Sequence, residues 1–274
     1  MNTVVDFAPS HAGGYDPEHY RNLAAIEDQH FWFSSRNAAI RALATQVCAT
    51  LPAKYRVLEV GCGTGNVLRH LEEICTGGSV VGMDLFDEGF QFARQRSQCS
   101  LVQGDARRPP FQCRFHLVGM FDVIEHVPDD ESLLNDAYRL LAPGGVLLVT
   151  VPAHMSLWSY FDEASNHCRR YEFDELRDRL HNAGLEVEFL SEYMFSVAPL
   201  VWLKRRVVAR NQRADDRASV VKDELKIYPV VNDVLSFLLK NETRWLGMRK
   251  RLPFGTSLIA LARKPTAPGQ TQIT

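Results

Sequence analysis

The sequence predicts an α/β fold: a seven-stranded, mostly parallel sheet with helices on both faces and a helical cap. Three observations predict it. The run 56–60 is aliphatic and β-branched and ends in Gly61-Cys62-Gly63-Thr64-Gly65. A buried parallel strand ends this way when it enters a tight turn and then a helix. Short apolar runs and helical patterns then alternate along the chain, which is the signature of a parallel sheet with crossover helices. Finally, carboxylates stand in or just beyond successive strands, at Glu59, Asp84, Asp105, Asp122 and Glu125.

Each element has its own reason. A helix is expected over 35–49, where Ala39, Ile40, Leu43, Ala44 and Val47 recur at helical spacing and Pro52 closes the segment. The first strand is 56–60 and a helix follows over 66–74. Gly77-Gly78 punctuates before strand 79–84. A helix over 88–96 leads to a short strand at 100–102. Strand 115–121 ends at Asp122. The helix 130–141 stops at the turn Pro143-Gly144-Gly145, and strand 146–151 follows. The helix 173–182 is capped by Gly184. The last two strands are 186–191 and 257–263.

The connection 193–256 is too long for an ordinary loop, and connections of that length are usually functional or structured in their own right. Val201, Leu203, Val207 and Val208 alternate with Lys204, Arg205, Arg206 and Arg210, and 230–246 is again apolar on one face. It reads as a helical cap over the ligand edge of the sheet. The chain thus divides into an N-terminal arm with lid helices (1–50), a ligand-binding core (51–192), the cap (193–256), the final core strand (257–264) and a disordered tail (265–274).

Bulk properties exclude several classes. The 274 residues carry 31 Lys+Arg against 33 Asp+Glu, a net charge of -2, so nothing calls for nucleic acid as a partner. Six cysteines occur and none forms a CxxC pair, so no metal site of that type is expected and the thiols read as reduced and cytoplasmic. No leader pattern and no run of transmembrane length is visible, although the cap could touch a membrane peripherally. Nothing separates a monomer from a homodimer.

A dinucleotide loop needs G-x-G-x-x-G, and here Asn66 stands where the third glycine belongs. A phosphate loop would need a lysine that is absent. Five carboxylates converging on one crevice suit a cationic ligand with a ribose diol better than a diphosphate. Three histidines near strand ends are candidate general bases: His126 past strand 115–121, His154 past strand 146–151, and His167 before Arg169-Arg170-Tyr171. Tyr20, His30, Phe31, Trp32 and Phe33, with His19, form an aromatic segment that could close over the site.

Leu58-Glu59-Val60-Gly61-Cys62-Gly63-Thr64-Gly65, Gly82-Met83-Asp84, Gly104-Asp105-Ala106, Phe121-Asp122-Val123-Ile124-Glu125-His126-Val127 and Leu141-Ala142-Pro143-Gly144-Gly145 together resemble the ordered motifs of class I S-adenosylmethionine-dependent methyltransferases. The resemblance is strongest to the type 11 and ubiquinone-biosynthesis small-molecule group and runs from about 55 to 152. It implies a Rossmann-like sheet with an antiparallel last strand, S-adenosyl-L-methionine as cofactor and methyl transfer to a small-molecule acceptor. It also implies roles by position. Glu59, Gly61, Cys62, Gly63 and Gly65 would face the methionyl part and Asp84 the ribose hydroxyls. Leu85, Asp105 and Ala106 would lie at the adenine, and Phe121 would pack near the cofactor. Trp32 and Arg36 are expected at the cofactor too. Tyr20, His30, Arg169, Arg170 and Tyr171 are expected at the acceptor. Two other readings stay open: a non-catalytic S-adenosylmethionine-binding partner protein and an NAD-dependent oxidoreductase.

Overall fold

The computed structural model describes residues 17–208 and 227–266. The predicted arm up to 16, the tail from 267, and the side chains of His19, Lys204, Arg205, Arg206, Val207, Val208 and Arg210 lie outside what is described.

The strands are β1 (Tyr55–Val60), β2 (Gly78–Asp84), β3 (Ser100–Gln103), β4 (Phe115–Phe121), β5 (Leu141–Pro152), β6 (Glu186–Tyr193) and β7 (Ser257–Arg263). They form one sheet in the order β3-β2-β1-β4-β5-β7-β6. Only β7 runs antiparallel to its neighbours β5 and β6. The strand order reverses at β1, which pairs with β2 on one side and β4 on the other. A crevice opens at that switch point, beyond the carboxyl ends of the strands.

The helices are α1 (Pro17–Ile26), α2 (Phe31–Cys48), α3 (Leu68–Ile74), α4 (Phe90–Arg96), α5 (Asp130–Leu140), α6 (Tyr160–Ala164), α7 (Phe173–Asn182), α8 (Ala198–Val208) and α9 (Pro229–Gly247). Alternation along β1 sends Leu58 and Val60 to one face and Val57 to the other. The first face packs with Leu133, Leu134 and Ala137 of α5 and Leu176 and Leu180 of α7. The second packs with Ile40, Leu43 and Val47 of α2, Leu71 of α3, and Leu239 and Leu246 of α9. Each fully buried leucine contributes roughly 2 kcal/mol through burial.

Three local departures from the sequence reading have clear causes. α2 begins at Phe31 rather than 35, because the His30 Nδ1 accepts from the Trp32 amide at 3.2 Å and caps the helix. α3 begins at Leu68, and Asn66 is buried in a side-chain network instead: it accepts from Asn37 at 2.6 Å and donates to Asp28 at 3.0 Å. β5 begins at Leu141, so the turn expected at 143–145 is a bulged entry into the strand, with Gly144 at φ 76°.

The N-terminal helices are fastened to the glycine loop by charge as well as packing. Arg96 of α4 pairs with Glu27 and hydrogen-bonds the Thr64 carbonyl at 3.2 Å, and Thr64 donates to Glu27. At the far end, Asn232 of α9 accepts from the Phe31 amide at 2.8 Å and donates to the Gln29 carbonyl at 3.0 Å. α9, the N-terminal helices and the glycine loop therefore form one connected wall.

Candidate active site

A cavity of about 920 Å³ opens at the strand ends, with walls from three sources. The sheet contributes Val60, Gly61, Asp84, Leu85, Asp105, Ala106, Asp122, Glu125 and His126. The lid helices contribute Tyr20, His30, Trp32, Phe33 and Arg36. The loop after β5 and the cap contribute Phe161, His167, Arg170 and Val201.

Gly61 takes φ +74°, and a Cβ there would sit 2.5 Å from Val123 Cγ2, so only glycine fits between strand and loop. Its amide donates to the Met83 carbonyl at 2.8 Å. This brings the loop against the end of β2, where Asp84 is buried. The Asp84 carboxylate accepts from the amides of Gly63 at 2.8 Å and Phe86 at 3.0 Å. Burial pushes its pKa up to about 6, against the pull of those amides.

Asp122 closes β4 with φ 56°, an uncommon conformation for a residue with a side chain. The Arg36 guanidinium holds it at 2.8 Å. Arg36 also donates to Asn37 and lies over the Trp32 and Phe33 rings, 5.1 and 5.4 Å from their centroids. Burial works against the Arg36 charge, and Asp122 outweighs it. Asp105 is forked by Arg107, with contacts at 2.6 and 3.0 Å; burial opposes its ionisation, but Arg107 holds it below the ordinary carboxylate range.

Beyond Asp122, ligand atoms of Glu125, His126 and His167 lie within 4.8 Å of one another, a spacing that a bound cation could bridge. Glu125 is fully buried and neither carboxylate oxygen has a hydrogen-bond partner among the described residues. Burial, reinforced by Asp122, drives its pKa well above the ordinary value. Burial lowers His126 to about 4, and the facing His167 ring, 4.7 Å between centroids, adds to that. His167 Nδ1 lies 3.0 Å from Asp162, a carboxylate that also takes Arg170 Nε at 2.7 Å.

Several residues expected at the site lie elsewhere. His154 is outside the cavity wall and is clamped between Glu192 at 2.9 Å and Glu172 at 2.8 Å. Glu192, then Glu172, raises it to about 9 against the effect of burial, so at neutral pH it carries a proton and both nitrogens are taken. Arg169 is engaged by Asp130 at 2.6 Å, and the buried Tyr171 hydroxyl donates to the same carboxylate at 2.7 Å. Both support α5 and do not line the cavity.

Phe121 turns into the core, over the space left by Gly119. Glu59 and Cys62 sit behind the wall, where burial raises both pKa values. Gly63 and Gly65 shape the loop: a Cβ on Gly65 would meet the Ala93 backbone at 2.8 Å. The sequence reading missed the roles of Asp162 and Phe161. It placed Glu125 and Asp122 in the crevice without seeing that one is unpartnered and the other is held by Arg36.

Residues 29–189 match a methyltransferase domain family. A Mycolicibacterium smegmatis protein provisionally assigned as an S-adenosylmethionine-dependent methyltransferase is 28% identical over 172 residues, covering 61% of this chain and 64% of that one. The ubiquinone biosynthesis O-methyltransferase of Xanthomonas axonopodis pv. citri is 30% identical over 164 residues, covering 53% and 68%. A solved Bacillus halodurans structure provisionally assigned as a methyltransferase is 25% identical with a TM-score of 0.52, covering 82% of this chain and 99% of that one.

Sheet order, glycine loop and site define a protein of the S-adenosylmethionine-binding α/β class. The chain belongs to the class I S-adenosylmethionine-dependent methyltransferase family. It spans about two thirds, 64% and 68%, of the length of those two curated relatives. The family's cofactor fits the residues present. Four carboxyls face the cavity, while Arg36, Arg107 and Arg170 are each already paired with an acid. With those arginines engaged a diphosphate is poorly served, while Asp84, held by backbone amides at the end of β2, suits a ribose diol. The oxidoreductase reading is set aside on this ground and on family membership.

Proposed function

We propose that this chain transfers a methyl group from S-adenosylmethionine to an oxygen or nitrogen of a small organic acceptor. The cofactor, when bound, supplies an electrophilic methyl on a sulfonium whose thioether leaves readily. What remains for the protein is alignment of the reacting atoms, exclusion of water and removal of the acceptor's proton. Alignment of this kind can supply up to about 10 kcal/mol. The observation that carries the reading is a single cavity walled by Gly61, Asp84, Leu85 and Ala106 on one side and by Glu125, His126 and His167 on another.

In this reading Asp84 accepts from the ribose hydroxyls, and Leu85, Asp105 and Ala106 flank the adenine. Trp32, Phe33, Tyr20 and His30 form a lid, with Arg36 fixing Asp122 beneath it. His167 is the base: Asp162 on Nδ1 orients the ring and leaves Nε2 as the proton acceptor. His126, half-buried and neutral, packs against it. Arg170, held by Asp162, stands at the acceptor. A screen of phenol, carboxylate and amine acceptors with methyl-labelled S-adenosylmethionine tests this. Label transfer to an oxygen or nitrogen is expected, and loss of at least about 100-fold in His167→Ala. Cofactor binding without turnover on any acceptor would favour a non-catalytic binding protein instead.

The acceptor is inferred to reach the cavity from an apolar surface. α9 buries Leu235, Leu239 and Leu246, yet its opposite face exposes Val230, Val234, Phe237, Trp245 and Met248, with Lys240 and Arg244 exposed beside them. On α8, Leu200, Trp202 and Leu203 are exposed next to Val201, which lines the cavity. An apolar stripe flanked by cations fits the interface of an anionic lipid layer. No helix among the described residues is long and apolar enough to cross a membrane. Flotation with phosphatidylglycerol vesicles should carry the protein, and Phe237→Asp with Trp245→Asp should abolish it. A stable dimer that never floats would show that a second copy covers the face.

A further inference from the structure

Two thiols at the opposite end of the molecule from the cavity mouth have no part in the chemistry above. Cys48 is the last residue of α2 and Cys75 caps the end of α3. Their sulfurs lie 3.3 Å apart, although 27 positions separate them in the chain. A disulfide requires about 2.05 Å between sulfurs, so closure asks for a movement of little more than an ångström. Both residues are free thiols here, Cys48 partly exposed and Cys75 buried.

We propose that Cys48 and Cys75 are a redox site that closes to an intramolecular disulfide under mild peroxide. The surroundings divide the labour between the two sulfurs. Cys48 is the one solvent reaches, and it accepts hydrogen bonds from Cys75 and Tyr55 that favour its thiolate over the effect of partial burial. Cys75, buried and adjacent, stays protonated. Each thiol ends a helix, where the dipole disfavours a second negative charge. An uncharged disulfide in place of a thiolate removes that conflict. One sulfur is thus the attacking group and the other the resolving group, the arrangement expected of a sensor pair.

The Cys48 thiolate attacks a peroxide oxygen, forming an S–O bond and breaking O–O, and the departing hydroxide takes a proton to become water. The Cys75 sulfur then attacks Cys48 sulfur. The S–S bond forms, the S–O bond breaks, and the leaving hydroxide takes the Cys75 proton as a second water. Two thiols lose two electrons, and peroxide gains them.

The other partly or fully exposed thiols are internal controls: Cys113 and Cys168 are exposed, and Cys99 is partly exposed. The full chain is treated with graded hydrogen peroxide, blocked with an alkylating agent, digested and read by mass spectrometry. The expected product is the Cys48–Cys75 peptide pair lacking two hydrogens, formed before more than a minor share of Cys113 and Cys168 is oxidised and reversed by dithiothreitol. Cys48→Ser should abolish the pair and leave Cys75 alkylatable. Cys113→Ser with Cys168→Ser should leave its formation unchanged, which excludes exchange through those two thiols, and the product should run as a monomer on a non-reducing gel, which excludes a link between two copies. Cys48 does not line the cavity, so Cys48→Ser should retain basal activity. If Cys48 and Cys75 still alkylate as free thiols after Cys113 and Cys168 are consumed, the proposal fails. It fails equally if the pair forms only once the protein has unfolded.

Discussion

On the donor side of the cavity the wall comes from strand ends: Gly61 after β1, Asp84 closing β2, and Asp105 just beyond β3. The facing wall, which in the proposed reading receives the acceptor, comes from α1, α2, the loop between β5 and α7, and the segment 193–256, up to about two hundred positions apart, as the Phe31–Asn232 bond illustrates. The donor wall is set by backbone geometry, since each residue follows directly from the strand it terminates. The acceptor wall is set by side chains docking across long distances. The difference explains why one side can be read from local motifs and the other cannot.

The comparison can be broken from the donor side first. Gly65→Ala places a Cβ 2.8 Å from the Ala93 backbone at φ +77°. The expected cost is about 3 kcal/mol or more, read as a lower denaturation midpoint, with cofactor binding lost. An unperturbed midpoint would mean that the loop can relax as the acceptor loops do.

Next in size is a contrast between two histidines. His167→Ala should lower kcat at least about 100-fold with little change in Tm. His154→Ala should do the reverse: it leaves the buried Glu192 without its partner and costs about 2–3 kcal/mol, with activity near that of the parent. Swapped outcomes would move the base to His154.

The same histidine predicts a pH effect. Its folded pKa, raised to about 9, lies above the unfolded value of about 6.5, so its contribution is complete below pH about 6.5 and lost as pH rises through 9. Parent stability should therefore fall between those limits, by less in His154→Ala. A parallel decline in both would place the titration elsewhere.

The sheet was legible because burial on both faces leaves near-continuous apolar runs, and glycines mark their ends. Seven of the residues assigned to the cofactor line the cavity: Gly61, Asp84, Leu85, Asp105, Ala106, Trp32 and Arg36. Phe121 and Glu59 did not, because residues flanking a strand end alternate between cavity and core, and a one-dimensional motif does not say which way each side chain turns. His154 follows β5 directly, yet it lies outside the cavity wall, between Glu172 and Glu192, partners that its position after the strand does not reveal. Asn66 looked like a missing glycine and is a clasp to α2 and Asp28.

The central claim is that the donor lies at the strand ends, on Asp84. Calorimetric titration of S-adenosylhomocysteine into the parent and into Asp84→Ala tests it directly. One site is expected in the parent, and affinity lower by about tenfold or more in the variant, the loss of charge-assisted hydrogen bonds to a diol. Equal affinity in a folded Asp84→Ala protein would contradict the account.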